Sequence, residues 1–215
     1  SYKYNPLDKA NFPLMGNISG KTIDNSNVNS EGVVYIVGYE QSYSNGETWI
    51  ETVNLTNVTV VAGTALMLDK DTPVNFTDSV IEGEQANVVT IRSTGAGSGH
   101  LNLNNTLATR LNLKISIGFN ANEMTEITYS DLSLNQSWDT LSGKISESYI
   151  YTARYTSNSG EINNSYITGQ MFSNGSRGKI NNSYITNEVR NYGEINSSYI
   201  LNASTRTGVI KSSVL

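Results

Sequence analysis

The sequence predicts an all-β chain wound as a parallel β-helix, and three observations predict it. A unit recurs along the 215 residues: an apolar residue, an Asn-like residue two places on, and a second apolar residue five places on. Its last copies read Ile145-Ser-Glu-Ser-Tyr-Ile, Ile162-Asn-Asn-Ser-Tyr-Ile, Ile180-Asn-Asn-Ser-Tyr-Ile, Ile195-Asn-Ser-Ser-Tyr-Ile and Ile210-Lys-Ser-Ser-Val-Leu. A fixed repeat of this kind marks a solenoid. Second, places 0 and 5 have opposite parity, so one straight strand cannot turn both inward and the chain must bend between them. Third, the composition is 37% hydrophobic and 15% charged, with 28 Asn and 48 Ser plus Thr. That is too polar for a wide core and sufficient for a coil with a thin line of aliphatic residues per turn.

Taken in order, residues 1–20 lie outside the repeat. Tyr2, Tyr4, Pro6, Phe12, Pro13, Leu14 and Met15 make an irregular apolar segment, expected as a cap on the first turn or as an exchange arm. The coil is expected over 21–215, starting from a weak copy at Ile23, Asn25 and Val28. The unit then recurs from Leu55, Phe76, Leu103 and Tyr129, with Asn57, Asp78, Asn105 and Asp131 as bends, and from Ile145, Ile162, Ile180, Ile195 and Ile210, with Glu147, Asn164, Asn182, Ser197 and Ser212. Asn and Asp tolerate the left-handed backbone region such a bend requires. The nine first positions are expected to form one buried parallel stack.

A third strand is visible in the wider turns up to about residue 140, at 33–37, 64–68, 88–91 and 113–117. In the later turns the spacing falls to 15–18 residues and this strand shrinks to stubs at Met171-Phe172 and Glu188-Val189, so the coil is expected to narrow. The chain ends on a completed unit, and Ile210, Val214 and Leu215 are expected to form an assembly edge that another chain covers.

A strand, a tight bend at an Asn and a second strand, stacked unit on unit, resembles the single-stranded right-handed parallel β-helix of the pectin-lyase-like superfamily over about residues 20–215. The resemblance is to the tailspike and adhesin type rather than the lyase type. It implies that bend residues such as Asn164 and Asn182 stack as an internal Asn ladder.

Enzymatic readings find little support. His100, in Gly97-Ser98-Gly99-His100, faintly resembles a polygalacturonase loop, but the acidic motifs of that family do not accompany it. Asp69-Lys-Asp71 is the only close Asp pair and lacks the spacing of a calcium loop, with Val74 and Val80 where Gly and Glu belong. Glu82 with Glu84, and Glu123 with Glu126, are sequence-close, but closeness does not set the separation glycoside hydrolysis needs. With no Cys, a thiolate metal site is excluded. No catalytic residue, metal or cofactor is expected.

Two surface features remain. Tyr149, Tyr166, Tyr184 and Tyr199 share the place before an inward residue, so their rings should stack on the outside as a ladder, a subunit interface or a glycan platform. Eleven Asn-x-Ser/Thr sequons, at Asn17, Asn54, Asn57, Asn75, Asn104, Asn135, Asn163, Asn174, Asn181, Asn196 and Asn202, are candidate N-glycosylation sites. A net charge of -5 with scattered basic residues argues against nucleic acid, and there is no run of apolar residues long enough for a membrane span. The expectation is a non-enzymatic extracellular fibre or spike protein, a virion host-attachment appendage or a cell-surface filament subunit. Its expected partner is itself, as a trimeric spike or head-to-tail filament, with surface glycans as further candidates. The alternative is a polysaccharide lyase or hydrolase with a groove beside residues 93–126.

Overall fold

The computed structural model describes residues 13–25, 32–136, 138–205 and 207–214. Within them the chain is a parallel β-solenoid of about nine turns. Each turn lays strand on strand along three faces. The first face is a ten-stranded parallel sheet of strands two or three residues long, running from Thr22–Ile23 to Val209–Lys211. The second and third faces belong to one larger sheet, because strands such as Val89–Asn104, Leu111–Ala121, Tyr149–Asn158 and Tyr166–Asn174 run on around the corner between them. Late turns therefore keep all three sides. The expected narrowing is corrected: Met171-Phe172 and Glu188-Val189 sit in full third-face strands in register with Tyr155-Thr156 and with each other. The late turns are short because their corner loops have shrunk.

The bends are where the repeat puts them, with one exception. Asn57, Asp78, Asn105, Glu147, Asn164, Asn182, Ser197 and Ser212 all have φ between 44° and 51°, the left-handed region that lets the chain turn in one residue. The exception is Asp131: the bend is at Tyr129 (φ 50°), and a further one is at Arg110 (φ 51°).

The single stack of first positions is corrected, because two corners use the same unit. Asn57, Asp78 and Asn105 turn the third face into the first, whereas Arg110, Tyr129, Glu147, Asn164, Asn182, Ser197 and Ser212 turn the first into the second. Leu55, Phe76 and Leu103 accordingly stack on the third face, continuing into Ala121 and Leu141. Ile145, Ile162, Ile180, Ile195 and Ile210 stack on the first face, above Val60, Ile81, Ala108 and Ile127. The frames change over at Ala108, which closes the unit begun at Leu103 and opens the one that ends at Leu113.

The internal Asn ladder exists, but not at the bends. Asn164 and Asn182 are exposed, since a residue at the apex of a sharp corner points outward. The buried ladder is Asn158, Asn174 and Asn191, all 0% accessible. The Asn158 Nδ2 donates to Asn174 Oδ1, and the Asn174 Nδ2 to Asn191 Oδ1, each at 2.9 Å. Beside it the corner is made by Gly160, Gly178 and Gly193. A Cβ at Gly160 would overlap the Gly143 carbonyl, and one at Gly193 would overlap that of Gly178.

At the N-terminal end, Leu14 pairs beside Ile36, and Asn17–Ser19 already pairs with the strand Val53–Thr56, so the winding begins before residue 21. Tyr2, Tyr4, Pro6, Phe12, Val28 and Leu215 lie outside the described residues. Ile210 forms the last rung of the first face, and Val214 is 60% exposed. One antiparallel hairpin, Glu40–Ser42 with Thr48–Ile50, stands apart from the coil and carries the exposed pair Tyr43 and Trp49, 6.1 Å between ring centroids.

Candidate functional site

A groove of about 930 Å³ runs along the corner between the first and second faces. One wall is the row of bend residues Arg110, Tyr129, Glu147, Asn164, Asn182 and Ser197. The other is Asn112, Asp131, Tyr149, Tyr166, Tyr184 and Tyr199. The floor is a column of serines one place after the bends from Glu147 on, buried at Ser148, Ser165, Ser183 and Ser198, which sequence reasoning missed although these and the half-buried Ser213 hold the same place in five successive units. Each hydroxyl donates to the carbonyl two residues back and accepts the N–H of the serine one turn below. Ser165 Oγ, for example, donates to Asn163 O at 2.8 Å and accepts from Ser148 N at 3.2 Å. One backbone N–H that the sharp corner would otherwise bury unpaired is thereby satisfied, and the carbonyl, which already accepts a backbone N–H (Asn163 O from Glu147 N at 3.1 Å), gains a second bond.

The four tyrosines stack, with centroids 5.0, 4.9 and 4.6 Å apart and ring planes within 12° of parallel. This geometry decides what the row can offer. Faces of Tyr166 and Tyr184 are covered by their neighbours, so along most of the groove only ring edges and hydroxyls are presented. A sugar stacks on an aromatic face, and only Tyr149 and Tyr199 keep one uncovered within the row. At the lower end the Arg110 guanidinium lies 4.6 Å over the Tyr129 ring, a cation–π contact.

The remaining sequence candidates do not converge. His100 is in a third-face strand rather than a loop, between Pro73 and Gly118, and burial lowers its imidazole pKa. Asp69 closes a turn by accepting from Thr72 Oγ1 at 3.0 Å. Asp71 is paired with Lys70 at 2.7 Å and accepts the Ser98 N–H, which hold its carboxyl below the ordinary range. Residues 93–104 lie within a strand, Glu84 is in a tight turn with Asn87, and Glu126 is on the first face beside Lys144. Among the described residues no three His, Asp or Glu side chains gather as a metal cluster, and no helix is long and apolar enough to cross a membrane.

Glu126 belongs to another pattern unseen in the sequence. Glu126, Lys144, Glu161, Lys179 and Glu194 are successive outward rungs of the first face. Opposite charges thus stack turn on turn, where like charges would repel. Asp139 was also unforeseen. It is fully buried; its Oδ1 accepts the Phe119 N–H at 2.8 Å, and burial pushes its pKa up to about 7. Its Oδ2 and the hydroxyl of Thr156, its strand partner one turn on, have no partner among the described residues.

The sequons sort by what each amide does. Asn17, Asn54, Asn75, Asn102 and Asn120 form an outer ladder with Nδ2–Oδ1 distances of 2.8–3.1 Å. Asn163, Asn181 and Asn196 form a second, at 2.8 and 2.9 Å. In the second, Asn-x-Ser arises because an outer Asn ladder and the buried Ser column are two residues apart. Asn104 and Asn135 also donate, to Thr77 and to Ile115 and Ser133. Asn174 is in the core, and Asn57 and Asn202 are exposed. No family model matches the chain, and comparison with curated proteins and with solved structures gives no match.

Proposed function

We propose that this chain is a non-enzymatic structural solenoid of a surface fibre or spike, of the tailspike or adhesin type, that associates with copies of itself along its side. The observation that carries the reading is the tyrosine row. It lines a groove of about 930 Å³, its four tyrosines are 36–44% exposed, and its covered ring faces favour contact with a protein surface over a stacked sugar. Because the row is parallel to the coil axis, a contact made with it is lateral. That favours packed parallel coils, as in a trimeric spike, over head-to-tail growth.

The test is sedimentation of the full chain at micromolar concentration together with a Tyr166→Ser/Tyr184→Ser variant. The wild type is expected as a discrete oligomer and the variant as a folded monomer. Losing two stacked rings costs the monomer about 1–3 kcal/mol, readable by thermal melting. A wild-type chain that stays monomeric, or an oligomer indifferent to the double substitution, removes the row from the interface.

A further inference from the structure

N-linked glycosylation exchanges one Nδ2–H bond of asparagine for an Nδ2–C1 bond to the sugar. The donor is a lipid-diphosphate-linked oligosaccharide, the lipid diphosphate leaves, and the displaced proton passes to base. The chemistry is carried out on the unfolded chain by a transferase of the host. The folded structure then decides which modified asparagines it can accommodate, because a bulky substituent must leave Nδ2 into solvent.

Asn174 cannot meet that condition. It is 0% accessible, and its Nδ2 donates to Asn191 Oδ1 at 2.9 Å and to the carbonyls of Gly178 and Glu194 at 3.2 Å. Both amide hydrogens are in use. Asn196 spends both as well, on Asn181 Oδ1 and Glu194 Oε1 at 2.9 and 2.8 Å, as does Asn135. Asn54, Asn75, Asn163 and Asn181 are half-buried ladder rungs, with the next strand about 4.8 Å above or below. A saccharide on one rung collides with its neighbours.

Two sequons differ. Asn57 is the apex of a sharp corner (φ 50°), exposed, with no side-chain hydrogen bond among those described. Asn202 is exposed on the outer side of the last long strand, Tyr199–Thr205, and is likewise unbonded through its side chain.

We propose that the folded coil carries N-linked glycans at Asn57 and Asn202 and at none of Asn54, Asn75, Asn135, Asn163, Asn174, Asn181 or Asn196. Seven of the eleven sequons are then by-products of ladder and core architecture, and Asn57 and Asn202 are assigned to modification. Any chain modified at Asn174 belongs to the misfolded population.

The test is expression of the full chain through a glycosylating secretory pathway, with a known acceptor protein as control. The monodisperse, protease-resistant fraction is separated from aggregate, and occupancy at each sequon is read by peptide mass spectrometry. The expected result is high occupancy at Asn57 and Asn202 in the folded fraction, none at the seven ladder and core sites, and any Asn174 glycan confined to aggregate. Ser176→Ala removes that sequon at an exposed residue, and is expected to leave the folded fraction's glycan pattern unchanged. Glycan on Asn174 or on a ladder rung in folded protein overturns the assignment. So does a folded fraction empty at Asn57 or Asn202 while the control is modified.

Discussion

The early and late turns of the coil fill the same inward column with opposite chemistry. On the third face the column runs Ile18, Leu55, Phe76, Leu103, Ala121 and Leu141, then turns at one step into Asn158, Asn174 and Asn191. Backbone pairing continues across the change without interruption. What a parallel solenoid demands of an inward position is therefore not hydrophobicity but compatibility with its copy one turn away. Hydrocarbon meets that demand by contact, and an amide meets it by donating to the amide above while accepting from the one below. The corners exchange roles at nearly the same place. Early turns bend sharply into the first face at Asn57, Asp78 and Asn105, and late turns make that corner with glycines and bend sharply out of it.

The two fillings should fail differently, and the largest effects test this. Phe76→Ala leaves a cavity beneath Leu103 and should cost about 3–5 kcal/mol. Asn174→Leu nearly conserves volume yet takes the shortest partner from the Asn158 amide, which keeps only Gly160 O and Lys179 O at 3.3 and 3.4 Å, and one of two donors from the Asn191 oxygen, which keeps the Gly193 N–H, and should cost about 1–3 kcal/mol. Denaturant melts measure both. The discriminating variant is Asn174→Ser, which opens space as well as breaking the ladder. If it is better tolerated than Asn174→Leu, unpaired polarity rather than packing governs the late core. The reverse order would mean that the amides are passive filler and the two halves are alike.

Asp139 stands at the boundary between the fillings, where a carboxyl has neither an apolar neighbourhood suited to it nor an amide partner. Its folded pKa of about 7 lies above the ordinary 3.8. Between those values the folded chain holds a proton that the unfolded chain has released, so stability falls as pH rises through this window, by about 1.4 kcal/mol per pH unit. The contribution is whole below pH 3.8 and gone above about 7. Asp139→Asn should therefore nearly match wild type near pH 4 and exceed it by roughly 4 kcal/mol at pH 8. Comparing the two proteins at each pH cancels the exposed carboxylates, among them Asp71 and Glu194, whose pKa values shift the other way. A variant less stable than wild type at pH 8 would mean that Asp139 is ionised and partnered.

How much of this was legible in the sequence follows from which properties are periodic. Bend residues were readable because a left-handed corner selects Asn, Asp and Ser, and eight of the nine named ones turn the chain. Their assignment to a single corner failed because both sharp corners impose the same spacing, and only pairing distinguishes Leu103 from Ile145. Tyr129 was misread as a core residue since a tyrosine at a bend, held under Arg110, violates the propensity that identified the others. The tyrosine row was legible from parity alone. The Asn158 ladder was not, because its members lie outside the repeated hexapeptide and sit at corners of varying length. The Glu126 to Glu194 alternation needed the turn-to-turn register, which sequence spacing of 15–18 residues leaves undetermined.

The serine column sharpens the comparison at smaller scale, since it separates what a corner residue does through its side chain from what it does through its backbone. Ser165 is buried and joins two turns, accepting from Ser148 N and donating to Asn163 O. Ser165→Ala leaves that N–H unpaired in a closed corner, while the Asn163 carbonyl keeps the Glu147 N–H, and should cost about 1–3 kcal/mol. Its neighbour Asn164 is exposed at φ 49°, with a single side-chain bond to Glu147 at 2.9 Å. Asn164→Gly removes the whole side chain but suits the left-handed backbone, so it should cost no more than a few tenths of a kcal/mol. Asn164→Ala keeps a Cβ in that region and should cost about 1–2 kcal/mol. Thermal melts of the three single variants rank them, with Gly least harmful. An Asn164→Gly variant as damaged as Ser165→Ala would show that the outer amide carries the corner, and that the buried serines are spectators.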